Sequence, residues 1–403
     1  MSRRQALARA VLRGLAFVGL GFGAACSRDP GPWLRQFGTP SSDEARAIAI
    51  DAKGNVWVAG VTEGGFFGQS SAGGGHVFLR KYNAGGRELW TRQFGTPALD
   101  EVVAVAVDGR GNAWVAGVTY GAFPGYSNAG AKDIFLGKHD PWGRELWTQQ
   151  LGGAEPDQVT AIAVDGGGSV WVTGNSGGKS WVRQYDAEGK PLWIRELGAH
   201  QQVAALVTDG AGNLWVAGSV RAASADRSRA GGFVCKYDPS GNQVWMRQFS
   251  DRGGDGALSI AVGEEGKVWV AGYTQPGSQS LPKVYGLFVQ QYDPYGNELW
   301  SRQFAGGQGE RPLAIAVDKF GRVWVAGATQ GPSGSRSDAF VRLYDANGGE
   351  LWRHQFGSAD FDWIQAMALG QEGTLGVAGV TWGSLAGEPH AGMKDAFVLH
   401  YGR

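Results

Sequence analysis

The chain has 403 residues, including 68 glycines, 17 tryptophans, 15 prolines and 2 cysteines. Lysine plus arginine equals aspartate plus glutamate at 37 each, so no net field draws the protein to nucleic acid. Two cysteines exclude a disulfide framework, and an apolar content of 43% excludes wholesale disorder.

Residues 1–25 read as a targeting segment. Arg3, Arg4, Arg9 and Arg13 precede an apolar run from Gly14 to Ala25 that is too short to span a bilayer comfortably. The run ends Gly23-Ala24-Ala25-Cys26, and small residues directly before a cysteine resemble a bacterial lipobox, with Gly23 where leucine is usual. The resemblance implies acylation of Cys26; a plain secretory cut near Ala25 is the other reading. More than one acyl chain holds a protein stably at a membrane, and Ser27 carries no inner-membrane retention signal. The expectation is a signal segment over 1–25, a short linker over 26–32 and one domain over 33–403, lipid-anchored in the cell envelope (at the outer membrane) or secreted.

The domain begins with an isolated strand, Trp33-Leu34-Arg35-Gln36-Phe37. A four-segment unit follows. Its first segment is small and alternating (Ala47-Ile48-Ala49-Ile50), its second is Val56-Trp57-Val58-Ala59-Gly60, its third Val77 to Tyr82 and its fourth Leu89 to Phe94. Short runs of this kind, bounded by Gly, Asn and Asp, read as strands. Asp51-Ala52-Lys53-Gly54-Asn55 and Asn83-Ala84-Gly85-Gly86 supply hairpin turns. The second segment returns at Trp114, Trp171, Trp215, Trp269 and Trp324, and as Gly376-Val377-Ala378-Gly379, making seven copies. Four short strands repeated seven times predict an all-β, seven-bladed β-propeller. The last copy stops after its third strand, Ala396 to Tyr401, while the orphan strand stands at the other end. The N-terminal strand is therefore expected to close the last blade as its outermost strand. The Ala-rich strands then line the axis, and the variable loops gather on one face, the better candidate for binding.

These phrases are similar to the bacterial SBBP β-propeller repeat. Residues 99–150 carry nearly all of its pattern: Asp100, Val107-Asp108-Gly109-Arg110-Gly111-Asn112, Trp114-Val115-Ala116-Gly117-Val118-Thr119, Asp133-Ile134-Phe135, Lys138 and Leu146-Trp147-Thr148-Gln149-Gln150. The resemblance implies the fold and says little about activity. The Asp-x-x-Gly-Asn-x-Trp phrase is also similar to the propeller of virginiamycin B lyase, which implies an alternative: a lyase or hydrolase with its site at the channel mouth.

Two sets of residues stand out as binding candidates. Asp43, Asp100, Asp157, Gln201, Asp255, Glu310 and Asp362 hold one register, at the entry to each innermost strand. As a ring of carboxylates they suit Ca²⁺; as acceptors of backbone hydrogen bonds they fasten blade to blade. Phe66, Phe67, Phe123, Tyr126 and Trp382 lie in the three longest loops and are expected either to form an aromatic patch for a protein or glycan or to fold under their own loops. The six histidines show no metal-ligand spacing, and no nucleophile elbow or phosphate loop occurs. The expected function is therefore a non-catalytic platform, monomeric, with no cofactor other than Ca²⁺ at the acidic ring, a protein or glycan partner, and membrane contact through lipid alone.

Overall fold

The computed structural model describes residues 31–69, 74–165, 167–198, 201–220, 231–249, 256–274, 286–305, 310–330, 336–370 and 373–402. Cys26 and Asp255 lie outside them. The described residues form seven antiparallel four-stranded sheets. Strand β1 (Trp33–Phe37) stands first. Blade 1 contains β2 (Asp43–Ile50), β3 (Val56–Thr62), β4 (His76–Tyr82) and β5 (Glu88–Phe94). Blade 2 contains β6 (Asp100–Val107), β7 (Ala113–Thr119), β8 (Asp133–His139) and β9 (Glu145–Leu151), and blade 3 contains β10 (Asp157–Val164), β11 (Val170–Ser176), β12 (Lys179–Tyr185) and β13 (Pro191–Glu196). Blades 4, 5 and 6 run over Gln201–Phe249, Gly256–Ala305 and Glu310–Phe356.

Blade 7 joins Asp362–Leu369, Leu375–Thr381 and Asp395–Tyr401 to β1, which pairs Trp33 with His400 and Phe37 with Ala396. The first strands of neighbouring blades touch in an unbroken circle. The chain is thus a closed seven-bladed β-propeller whose last blade is completed by the N-terminal strand. Closure pairs what would otherwise be two exposed sheet edges.

The cores lie between blades. Seven apolar clusters fill the seven interfaces, and the one between blades 7 and 1 joins Trp33 and Phe37 to Val58, Phe78, Ala378 and Val398. The second-strand tryptophans are the central plugs. Trp57, Trp114, Trp171 and Trp215 are fully buried, and Trp57 meets Trp90 edge to face at 5.3 Å.

Local geometry explains the Val-Ala-Gly phrase. The innermost strand carries a bulge between Ala45 and Ala47, which pushes its backbone toward β3. A β-carbon on Gly60 would lie 2.0 Å from the Glu44 carbonyl oxygen, so only glycine fits there. The same bulge recurs in blades 2 to 7. The hairpin aspartates are turn residues: Asp51 accepts the N–H groups of Lys53 and Asn55, each at 2.9 Å. Cys235 is buried against Lys236, and desolvation pushes its thiol up to about 12.

Candidate binding cleft on the loop face

Antiparallel order sorts the connections onto two faces. The hairpin turns 51–55 and 83–87 lie on one. The crossovers between blades and the loops after each second strand lie on the other.

The acidic register enters the innermost strands on this loop face, and most of its members are spent on the crossovers. Asp43 accepts Thr39 N at 2.6 Å and Thr39 Oγ1 at 2.9 Å. Asp100 takes Thr96 N at 2.6 Å, Asp157 takes Gly153 N at 2.9 Å, and Asp362 takes Ser358 N at 2.6 Å. Gln201 keeps the arrangement without a charge, its Oε1 accepting Gly198 N at 2.9 Å. A hydroxyl at the end of the second strand supports the carboxylate from the other side: Thr381 Oγ1 donates to Asp362 Oδ1 at 2.5 Å, and Ser176 Oγ donates to Asp157. Glu310 departs from the pattern and chelates the Arg342 guanidinium, with Nε donating at 2.8 and 2.9 Å. Asp43, Asp100 and Asp362 have no exposed surface. Burial raises the pKa of all three, and the threonine and serine hydrogen bonds pull it back. No group of three or more acidic, histidine or cysteine side chains suited to a metal occurs among the described residues.

The aromatic loop residues divide by environment. Phe67 is fully exposed and Tyr126 partly so. Trp382 is half-buried, edge to face with Trp363 at 5.1 Å and Phe361 at 6.0 Å. Phe66 and Phe123 are core residues. Phe66 drops into the crevice between blades 7 and 1, where it meets Phe37 at 6.2 Å and Phe78 at 5.5 Å. The Arg80 guanidinium lies 4.9 Å from its ring and 3.9 Å from that of Phe37.

The outer-strand glutamine fixes this plug. Gln93 Oε1 accepts Phe66 N at 3.2 Å while its Nε2 donates to Gly64 O at 2.8 Å. Blades 2 and 7 repeat the device: Gln150 holds Phe123 N and Gly121 O, and Gln36 holds Leu385 N and Gly383 O. The sequence signal is Thr-x-Gly-x-Phe/Leu after the second strand (62–66, 119–123, 381–385), paired with a glutamine near the end of the fourth. The loop aromatics draw the eye without revealing it, because loops have no period that marks a buried side.

Blade 3 has no such plug. Gly177 and Gly178, both at positive φ, close β11 onto β12 in a two-residue turn. The crevice between blades 2 and 3 is open there, with a volume of about 530 Å³. Leu151, Trp181 and Arg183 line it, at the places taken in the blade 7–1 crevice by Phe37, Phe78 and Arg80. Glu196 occupies the place of Gln93, and Ile194 and Lys179 form the rim. Arg183 lies 5.5 Å from the Trp181 ring and donates to the Tyr185 hydroxyl at 3.3 Å. Lys179 pairs with Glu196 at 3.7 Å in solvent. A cleft of this size, whose lining mixes Ile134, Leu151 and Trp181 with the buried Gln150 and Asp157, suits a ligand or a partner segment.

No helix among the described residues is long and apolar enough to cross a membrane. The SBBP β-propeller repeat model matches residues 33–67, 89–124 and 146–180. The regulatory protein FlaEY of Caulobacter vibrioides is 30% identical over 146 residues, covering 32% of this chain and 15% of that protein, so the chain spans a small part of that relative. Among solved structures, the WD40 repeats of RRP9 align with a TM-score of 0.56 at 15% identity, covering 94% of this chain and 99% of that one. The polysaccharide lyase Uly1 aligns with a TM-score of 0.54 at 14% identity, covering 100% and 95%. Identities this low show the fold alone. The chain thus carries three matches to the SBBP β-propeller repeat within a ring of seven four-stranded blades.

Proposed function

We propose that the chain is a cell-envelope lipoprotein, anchored through Cys26, that presents its propeller as a non-catalytic binding or assembly platform for a protein or glycan. The observation that carries the platform reading is the open cleft between blades 2 and 3, on the face where the loops differ from blade to blade. The anchor rests on the Gly23-Ala24-Ala25-Cys26 sequence. Photo-crosslinkers at two positions of blade 3 test the platform. Lys179 stands at the cleft rim, and Glu188 stands on the turn-bearing face. Specific adducts from the Lys179→Cys position and none from Glu188→Cys are expected; equal yields, or none from either, sink the reading. Mass spectrometry of the mature N-terminus tests the anchor, which fails if Cys26 carries no acyl chain.

A second reading is a propeller enzyme of the lyase or hydrolase class. Its support is the placement of Lys179 and Arg183 beside Trp181, a set that suits an acidic sugar, on a fold shared with a polysaccharide lyase. Release of unsaturated fragments from uronate polymers by the purified chain would favour it over the platform.

A further inference from the structure

Three other crevices of the ring indicate what fits the blade 2–3 cleft. Between blades 7 and 1 the socket is filled by Phe66, and between blades 1 and 2 by Phe123, which meets Phe135 at 5.4 Å. Between blades 6 and 7 it is filled by Leu385. In each case the chain delivers the side chain on an extended segment and hydrogen-bonds that residue's N–H to an outer-strand glutamine. The blade 2–3 socket retains the receiving parts, Leu151, Trp181 and Arg183, and carries a carboxylate, Glu196, at the glutamine position. A carboxylate still accepts an N–H and loses only the donor.

Resting on the platform reading, we infer that this cleft is an empty plug socket and binds a peptide segment of a partner protein that inserts an aromatic or large aliphatic side chain, reproducing between molecules what Phe66 does within the chain. The ring enters between Leu151 and Trp181 and gives Arg183 the aromatic face that Arg80 takes from Phe66. Its backbone N–H is received by Glu196. An uncharged insert also matches the electrostatics better than an acidic sugar does. Glu196 is already opposite Lys179, and Asp157 at the bottom is satisfied by Gly153 and Ser176.

The probe is the chain's own plug in isolation, the labelled heptapeptide Thr-Tyr-Gly-Ala-Phe-Pro-Gly of residues 119–125, titrated against the full-length chain by fluorescence anisotropy. Saturable binding is expected, at least about tenfold weaker when the peptide phenylalanine is replaced by glycine, because a buried aromatic side chain is worth roughly that factor or more. The blocking variant is Gly153→Trp. Gly153 lines the cleft, and a β-carbon there meets nothing within 4 Å, so a large side chain can start from this position without a clash at its base. It is expected to lower affinity about tenfold or more while leaving Tm unchanged. Ile194→Glu, at the exposed rim, is the second variant should Gly153→Trp fail to fold. Titration that does not saturate, or affinity unchanged in the blocked variants, overturns the inference. If the peptide fails while crosslinking from Lys179→Cys still gives specific adducts, the platform stands and the plug mimicry falls. If a uronate oligosaccharide binds and Gly153→Trp blocks it, the cleft is a glycan site and the inference is overturned.

Discussion

The indole of Trp33 lies flat on Gly86. Trp33 belongs to the strand that closes blade 7, and Gly86 to the outer turn of blade 1. Trp33 Nε1 donates to Ala84 O at 2.8 Å, and Arg35 Nε donates to Gly86 O at 3.0 Å. The pair recurs as Trp90 on Gly143, Trp147 on Gly189, Trp193 on Gly241 and Trp245 on Gly296, so blade 7 and blades 1 to 4 each clamp the next one's turn, while Gly348 of blade 6 is met by Phe304. Gly86 has φ +77, and a β-carbon would lie 2.5 Å from the indole. Gly86→Ala is therefore expected to cost about 2–4 kcal/mol, from backbone strain and overpacking together. Urea unfolding reads this; a loss within about 0.5 kcal/mol would mean that the seam gives way without cost.

Phe66→Ala removes the plug from the blade 7–1 crevice. The expected loss is about 3–5 kcal/mol, since a buried phenylalanine leaves a cavity. The variant should also gain a second socket, visible as additional binding of the plug peptide. Phe67→Ala, one residue on and fully exposed, is expected to change stability by less than about 0.5 kcal/mol.

The acidic register predicts a structural phenotype. Asp100→Ala strands the Thr96 N–H and is expected to cost about 1–3 kcal/mol. Asp100→Asn keeps an acceptor and should cost less. Because burial raises the Asp43, Asp100 and Asp362 pKa values, their contribution is fully present below the unfolded value of 3.8 and is lost as pH rises through the raised folded values. Ca²⁺ or a chelator should leave Tm unchanged, because the carboxylate oxygens already hold crossover N–H groups. A Ca²⁺-dependent rise that disappears in Asp100→Asn would restore the ring as a cation site.

His139 gives the opposite acid response. It sits buried against Phe94, where blades 1 and 3 to 7 carry a tyrosine, and desolvation lowers its pKa from 6.5 to about 4. The unfolded chain takes up the proton first, so stability falls as pH drops from about 6.5 to about 4, by about 3 kcal/mol in all. His139→Tyr should flatten denaturant midpoints across that window; an unchanged slope would place the acid response elsewhere.

Most of the architecture is legible in residue order. The recurring Val-Trp-Val-Ala-Gly phrase marks the second strands, and Trp33 to Phe37 supplies the fourth strand that the last copy lacks. The register of Asp43 to Asp362 is legible too, but its partners are not. Thr39 and Thr96 belong to crossovers whose turn geometry appears only once neighbouring blades are in place. The plug lay beyond composition for the same reason. Phe66 and Phe67 are adjacent and chemically identical, yet one is core and the other solvent, and only the crevice between Phe37 and Phe78 distinguishes them. The cleft is hardest of all to foresee, since its sign in the sequence is a short turn, Gly177-Gly178, where other blades have more chain.

The seam of blade 7 has a kinetic consequence. Gln36 Nε2 donates to Asp395 Oδ2 at 2.9 Å across 359 residues. Closing a loop of that length costs on the order of 5 kcal/mol of chain entropy beyond a constant. The ring therefore cannot latch until the final strand, Asp395–Tyr401, has left the ribosome, and until then β1 has no strand to pair with. Folding should be slow for a chain of such short hairpins. Under mechanical load applied through its two ends, the same strand pair peels first, because both ends pull on it directly.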